Sequence, residues 1–280
     1  MKFKLLFVLF NVILGLSFLL LFFMPLPVLG WDALVKFWFE NWYIAGAFVL
    51  VLGIMDAYFI KNWKLLRLLE REDWQGLYDY LEKLRLKKPV LSPSRTKLYV
   101  NACLILRKPA SINDLRQDYL QRQIAIPRSL ALLLALPLIL EGRSGEIKTF
   151  LAPYLKKTSS GPEIGWLRWA YSFAQLIDQD WAAAKANLFL IVGDIRTPLL
   201  QLLSLYLLDH LRGRDDEVPK ILDPLSSDLR RRMTDADWKK HIEGLKEQVV
   251  LVLFMNQLIS DARHWLEGGS VSRASIAQEV

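Results

Sequence analysis

Cysteine is almost absent from the 280-residue chain, and with Cys103 alone no disulfide can form within it, which excludes a small secreted disulfide scaffold. Histidine is nearly as scarce. His210, His241 and His264 lie far from one another and from Cys103, so no metal-ligand spacing is present. The phosphate loops GxxxxGKS/T and GxGxxG and the GxSxG nucleophile elbow are missing. Ser94 to Lys97 reads SxxK without its companion motifs, a pattern expected about once by chance in such a chain. The sequence therefore offers no catalytic residue, no metal site and no cofactor site, and the expectation is that the protein is not an enzyme. Strand alternation is lacking as well. With 14 glycines and 12 prolines, the chain is neither collagenous nor of low complexity.

What is abundant is apolar surface. Hydrophobic residues make up 53%, ten of them Trp, and the mean hydropathy is +0.22, yet 23% of the chain is charged. A chain divided between lipid and water reconciles these numbers. From Leu5 to Met24 there are 20 uncharged residues, enough to span about 30 Å as a helix, with Pro25 and Pro27 expected to end it. Tyr43 to Ile60 is a second run, interrupted by Asp56 alone. The expectation is a transmembrane hairpin in residues 1–60, with spans at about 5–24 and 43–60. A cleaved signal peptide is the competing reading of the first run. Lys2 and Lys4 precede the first span and Lys61, Lys64, Arg67 and Arg71 follow the second, which by the positive-inside rule puts both termini in the cytoplasm, in a multi-pass protein of the cell (inner) membrane. Trp31, Trp38, Trp42 and Trp63 read as interface anchors, with the segment Trp31 to Trp42 lying along the outer surface. Asn11 and Asp56 are expected at similar depth, with Gly15, Gly53 and Ala57 permitting close approach of the two helices.

From residue 61 onward apolar residues recur at intervals of three and four, which implies helices throughout. A pattern of apolar residues at i, i+3 and i+7 repeats. It reads Trp74, Leu77, Leu81; then Ile112, Leu115, Tyr119; then Trp181, Ala184, Leu188; then Val218, Ile221, Leu225, with a weaker copy at Ser144, Ile147, Leu151. The period is about 36 residues, the mark of stacked helix pairs. Sixteen residues before the last member of three triplets stand the small residues Cys103, Ala135 and Ser172, and Pro89 and Pro127 stand eight residues after two of them. These features resemble the tetratricopeptide repeat (TPR), over about residues 62–228, although most of that family's Trp, Gly and Tyr positions are absent. The resemblance implies antiparallel helix pairs in which a small residue of the first helix lets the second cross closely, and a groove that binds proteins.

The expected fold class is thus all-α: a two-helix hairpin, a TPR-like α-solenoid over 61–230, a C-terminal capping helix over 231–267 opened by a Thr234/Asp237 capping box, and a flexible tail over 268–280. Absent a catalytic constellation, the surface carries the expected function, that of a membrane-anchored scaffold, assembly factor or adaptor whose cytoplasmic repeats bind a partner protein. Tyr99, Arg168 and Gln175 of the first helices are candidate groove residues, and Phe254, Leu258 and Trp265 form a second candidate face. Two alternatives are an accessory subunit of a membrane enzyme or transporter worked by the hairpin, and a homo-oligomer through the C-terminal helix. The net charge of +7 is confined to residues 61–108, with 12 basic and 5 acidic groups, while the flanking stretches balance. Lys61, Lys64, Arg67, Arg71, Lys87 and Lys88 make a basic collar suited to anionic lipid headgroups. No nucleic-acid module is present.

Overall fold

The computed structural model describes residues 3–24, 26–27, 30–88, 90–156, 162–193, 197–244 and 256–268, and these form thirteen helices and no strand. The protein is all-helical. It divides into two compact units, Met1–Lys87 and Lys88–Val280.

The N-terminal unit holds α1 (Phe3–Phe23), α2 (Trp31–Glu70) and α3 (Trp74–Lys87). Aromatic rings join α1 to α2. Phe7 meets Phe59 at 5.3 Å and Trp63 at 6.1 Å, Phe18 meets Phe48 at 5.3 Å, and Phe22 meets Trp38 at 5.3 Å. Early residues of one helix face late residues of the other, so the two run antiparallel. Pro25 lies outside the described residues, as do Lys2 and Pro89. The turn into α2 is taken at Gly30, whose φ of 84° suits a residue without a side chain.

The connection expected between the two spans is itself helical. Trp31 to Trp42 forms the first turns of a single 40-residue helix, about 60 Å long, that runs on to Glu70. The physical reason is the lack of a breaker, since no proline occurs between Pro27 and Pro89 and the charges at Asp32, Lys36 and Glu40 can all be solvated on a helix surface. Between Glu40 and Lys61 this helix has 20 residues with Asp56 as the sole charge. It is long and apolar enough to cross a membrane. The apolar side chains of this unit point outward: of the 30 large hydrophobic residues exposed among those described, 24 fall between Leu5 and Ile60. The small residues do not serve as expected, because a Cβ added at Gly15 or Gly53 would meet nothing within 4 Å.

The second unit inverts this pattern. Its helices are α4 (Pro93–Ile105), α5 (Pro109–Gln121), α6 (Arg128–Leu140), α7 (Ser144–Leu155), α8 (Pro162–Ile177), α9 (Trp181–Val192), α10 (Pro198–Asp209), α11 (Glu217–Arg232), α12 (Asp235–Gly244) and α13 (Asn256–Leu266). The first helices of successive pairs, α4, α6, α8 and α10, begin 35, 34 and 36 residues apart and pack each on the next. Each second helix, α5, α7 or α9, packs on its own first helix and on the following one, and α11 packs on α10. A row of first helices therefore carries a layer of second helices. Cys103, Ala135 and Ser172 are wholly buried on that row, and at Gly165 of α8 a Cβ would stand 2.5 Å from Cδ2 of Leu200 on α10.

One turn repeats. After α4, α6 and α8 the chain makes a three-residue link whose middle residue, Arg107, Gly142 or Gln179, has φ of 53°, 65° or 61°. The amide after it bonds back five residues, from Lys108 to the Cys103 carbonyl at 2.7 Å, Arg143 to Leu138 at 2.9 Å and Asp180 to Gln175 at 2.9 Å. This is the Schellman close of a helix, and it fixes the angle at which each second helix leaves. The same link, with Glu72 at φ 52° and Asp73 bonding to Leu68 at 3.0 Å, joins α2 to α3 in the N-terminal unit.

The helices shift the repeat register. Aligned by their turns, the buried pairs are Leu77 and Leu81, Ile112 and Arg116, Ile147 and Leu151, Ala184 and Leu188, Val218 and Leu222. The expected i+3 and i+7 members of the last copy, Ile221 and Leu225, are only half-buried. In the second copy the expected Ile112, Leu115 and Tyr119 are all buried, and beside them Arg116 holds the slot that the other copies give to leucine.

At the C-terminal end the expected single capping helix is described as α12 and α13. Residues 245–255 between them and 269–280 after them lie outside the described residues. Thr234 and Asp237 form the capping box, the Thr234 hydroxyl donating to Asp237 at 2.6 Å and the Asp237 amide to the Thr234 hydroxyl at 3.3 Å. Both helices pack on α10, with Trp238, Ile259, Ala262 and Leu266 buried, and the residues of α10 from Pro198 to Leu208 are all buried in consequence.

Candidate functional site

The layer of first helices is the surface that a stack of helix pairs offers to a partner. On α4, α6 and α8 it has the half-exposed Asn101, Leu132, Leu133, Arg168 and Tyr171. On α10 it is closed by α12 and α13.

The candidate groove residues separate. Tyr99 is fully buried and belongs to the core, because Val100, Ala102 and Cys103 around it on α4 are buried as well. Gln175 is also buried, and its side-chain oxygen accepts from the Asn187 amide at 2.9 Å, so it ties α8 to α9 instead of facing a ligand. Arg168 remains half-exposed. Its carbonyl accepts from the Ser172 hydroxyl at 2.8 Å, while its Nε is buried without a protein partner. Of the second face, Phe254 lies outside the described residues, Leu258 is half-buried, and Trp265 packs its ring on Tyr206 at 5.9 Å, turned toward α10 and away from a partner. Arg232 likewise folds inward, donating to the Gln201 side chain at 3.0 Å.

Lys61, Lys64, Arg67, Arg71 and Lys87 of the N-terminal unit and Lys88, the first residue of the second, are all exposed, and Lys64 sits over the Tyr80 ring at 5.2 Å. Trp31 and Trp42 are exposed; Trp38 and Trp63 are half-buried against α1. The Asn11 amide donates to the Phe7 carbonyl of its own helix at 3.1 Å, which satisfies that group within α1.

Charge is organised between repeats. Lys148 of α7 pairs with Asp178 in the next pair's turn, where Ser144 also donates, and Lys185 of α9 reaches Asp215 at 2.5 Å and Glu217 at 3.0 Å. The hydrogen bond from Lys148 lowers the Asp178 pKa, and the one from Lys185 lowers that of Asp215. These exposed pairs set register more than they stabilise. Arg116 is different. Only 3% exposed, it pairs with Glu146 at 3.4 Å, lies 5.7 Å from the Phe150 ring centre, and keeps Nη1 buried without a partner, as is Oδ1 of Asn113 one turn earlier. Burial pushes its pKa down, against the Glu146 carboxylate that holds it up. The signal for Arg116 was in the sequence only as the missing leucine of the second copy.

His210 and His241 each bond a carbonyl one turn back, of Tyr206 at 3.0 Å and Asp237 at 2.9 Å. Among the described residues no group of three His, Cys, Asp or Glu could hold a metal ion.

These features define a helical repeat-like protein with one helix long and apolar enough to cross a membrane. A family model described as "Uncharacterised Treponema protein" matches residues 111–267, more than half of the chain, and the chain belongs to that family. It is similar to a Treponema pallidum (strain Nichols) protein described as "Uncharacterized protein", with 27% identity over 283 residues, 95% of this chain and 88% of that one. No solved structure matches. The family match runs from α5 to α13 and so falls on the repeated helices, while the similarity to the Treponema pallidum protein, at 95% of this chain, extends well beyond them.

Proposed function

We propose that the chain is a membrane-anchored scaffold or adaptor whose TPR-like solenoid binds a partner protein at the cytoplasmic face of the cell (inner) membrane. The observation that carries this reading is the row of first helices. Among the described residues it stays open along α4, α6 and α8, where Leu132, Leu133, Arg168 and Tyr171 are half-exposed, and is covered at α10. Two further features support the TPR-like reading: starts of successive first helices 34 to 36 residues apart, and the buried small residues Cys103, Ala135 and Ser172. The anchor is a two-span hairpin of α1 and α2. Its support is the antiparallel aromatic contact and the outward apolar surface of both helices, with the exposed Lys61, Lys64, Arg67 and Arg71 on the cytoplasmic side by the positive-inside rule.

The test is affinity capture from native membranes with the full chain and with the variant Leu133→Glu/Arg168→Glu. The same protein should be recovered reproducibly with the parent and lost with the variant, while both remain in the membrane fraction. No reproducible partner from either would sink the proposal. Exchange of residues 1–60 for an unrelated hairpin should leave that capture intact, which separates a scaffold from a protein worked by its membrane helices.

A further inference from the structure

Alternating first and second helices put every first-to-second turn of the second unit on one edge and every second-to-first connection on the other. With one helical turn counted on either side of each connection, the second-to-first edge carries six Lys or Arg against four Asp or Glu among the described residues. The opposite edge carries six against eight. The acidic edge spends its charges internally, through Lys148 and Asp178, Lys185 and Asp215, and Arg212 and Asp209. On the basic edge the described residues give the exposed Lys156, Arg230 and Arg231 no carboxylate partner.

Large apolar side chains face water on both edges, Ile105 at 39% and Leu140 at 43% on the acidic one, and the most exposed of them stand on the basic edge. Leu190 is 66% exposed and Leu120 is 49% exposed, the two highest values for large apolar residues described in this unit. They stand in the last turns of α9 and α5, and the half-buried Leu155 ends α7. The three leucines are spaced 35 residues apart, so the repeat itself sets them along one line. A basic rim interleaved with outward leucines complements a surface that is anionic outside and apolar beneath.

We propose that this edge docks on an anionic lipid surface, with Leu120, Leu155 and Leu190 entering the headgroup layer and the neighbouring Lys and Arg side chains pairing with lipid phosphates. The inference rests on the anchor reading, which supplies proximity: Ile60, the last residue before the basic collar, and Lys88 are 28 residues apart, and the last turns of α2 and the whole of α3 take up most of that stretch, so the second unit stays near the bilayer. It adds a second contact to that anchor and fixes which edge faces the membrane.

The test uses the full chain inserted into nanodiscs of phosphatidylcholine alone or with 30% phosphatidylglycerol, with a dye attached through Leu190→Cys and, separately, through Gly145→Cys on the opposite edge. Cys103 is buried and stays unlabelled. Spin-labelled lipid should quench the position 190 dye several-fold more in the anionic discs than in the neutral ones and leave the position 145 dye unchanged. One molar salt, or the triple variant Lys156→Glu/Arg230→Glu/Arg231→Glu, should abolish the difference, the variant by lowering docking about a hundredfold. Equal quenching at positions 190 and 145 in anionic discs overturns the proposal, as does an edge that captures an acidic soluble protein yet shows no lipid quenching. Failure of the chain to enter even neutral discs overturns the anchor reading instead; flotation with anionic vesicles at low salt then decides docking by itself.

Discussion

Leu50 and Leu203 both lie mid-helix on apolar stretches, yet one is 62% exposed and the other fully buried. The contrast extends to their surroundings. On α1 and α2 more than half of the large apolar side chains are exposed and the contact between helices is a thin aromatic seam, whereas α10 is enclosed on all sides by α8, α9, α11, α12 and α13. Apolar composition alone does not distinguish a helix that seeks lipid from one that seeks other helices. Length does, together with the number of neighbours the chain supplies: α10 has 12 residues and a partner on each face, and α2 has 40.

The largest expected effect opens that contrast directly. Leu203→Ala should cost about 3 kcal/mol of stability, since the enclosed site cannot collapse around the cavity, while Leu50→Ala should cost less than about 0.5 kcal/mol. Chemical denaturation of the full chain in detergent, followed by Trp fluorescence, measures both. Equal losses would mean that the two regions are packed alike.

A charge should reverse the ranking. Leu50→Lys places an ammonium at the centre of the 20-residue stretch between Glu40 and Lys61 and should cost about 3 kcal/mol of membrane insertion. Leu86→Lys, at a residue 74% exposed but on α3, should cost almost nothing. The readout is the fraction resisting alkaline carbonate extraction. If the two variants extract alike, the outward apolar surface is not a lipid-facing one.

How much of this was legible in the sequence follows from the same contrast. The helical repeat was readable because Leu77, Ile147, Leu151, Ala184 and Leu188 recur on buried faces. It did not reveal Arg116, where a guanidinium fills a slot that other copies give to leucine, and no periodicity rule anticipates a buried charge. The continuity of α2 could have been inferred from the absence of proline between Pro27 and Pro89, but the tryptophans and charges of residues 31–42 suggested a separate interface segment. The groove residues were misplaced for a geometric reason. Helical spacing assigns Tyr99 and Gln175 to first helices, but only the positions of the neighbouring helices decide which side of a first helix is covered.

Glycine offers a sharper test, because the two regions should respond with opposite sign. Gly165→Ala forces a Cβ to 2.5 Å from Leu200, itself buried and unable to retreat, and should destabilise by about 1 to 3 kcal/mol. Gly53→Ala meets nothing within 4 Å and should stabilise α2 by about 0.5 to 1 kcal/mol through helix propensity. Destabilisation by both would show that an unseen partner covers Gly53.

The smallest effects lie in the repeated turn, the one device the two regions share. Arg107 and Gln179 in the stack and Glu72 beside the apolar helices all hold φ between 52° and 61°, where a side chain costs about 1 kcal/mol, and glycine occupies the equivalent place only at Gly142. Arg107→Gly and Gln179→Gly should therefore each gain up to about 1 kcal/mol, and Gly142→Ala should lose about as much, read as shifts of the denaturation midpoint. Glu72→Gly carries the comparison to the boundary. If its gain appears in the same transition as that of Arg107→Gly, the link after α2 unfolds together with the stack and acts as its first turn. If the gain appears in a separate transition, the Schellman link is local chemistry used twice, and the repeat begins at Pro93.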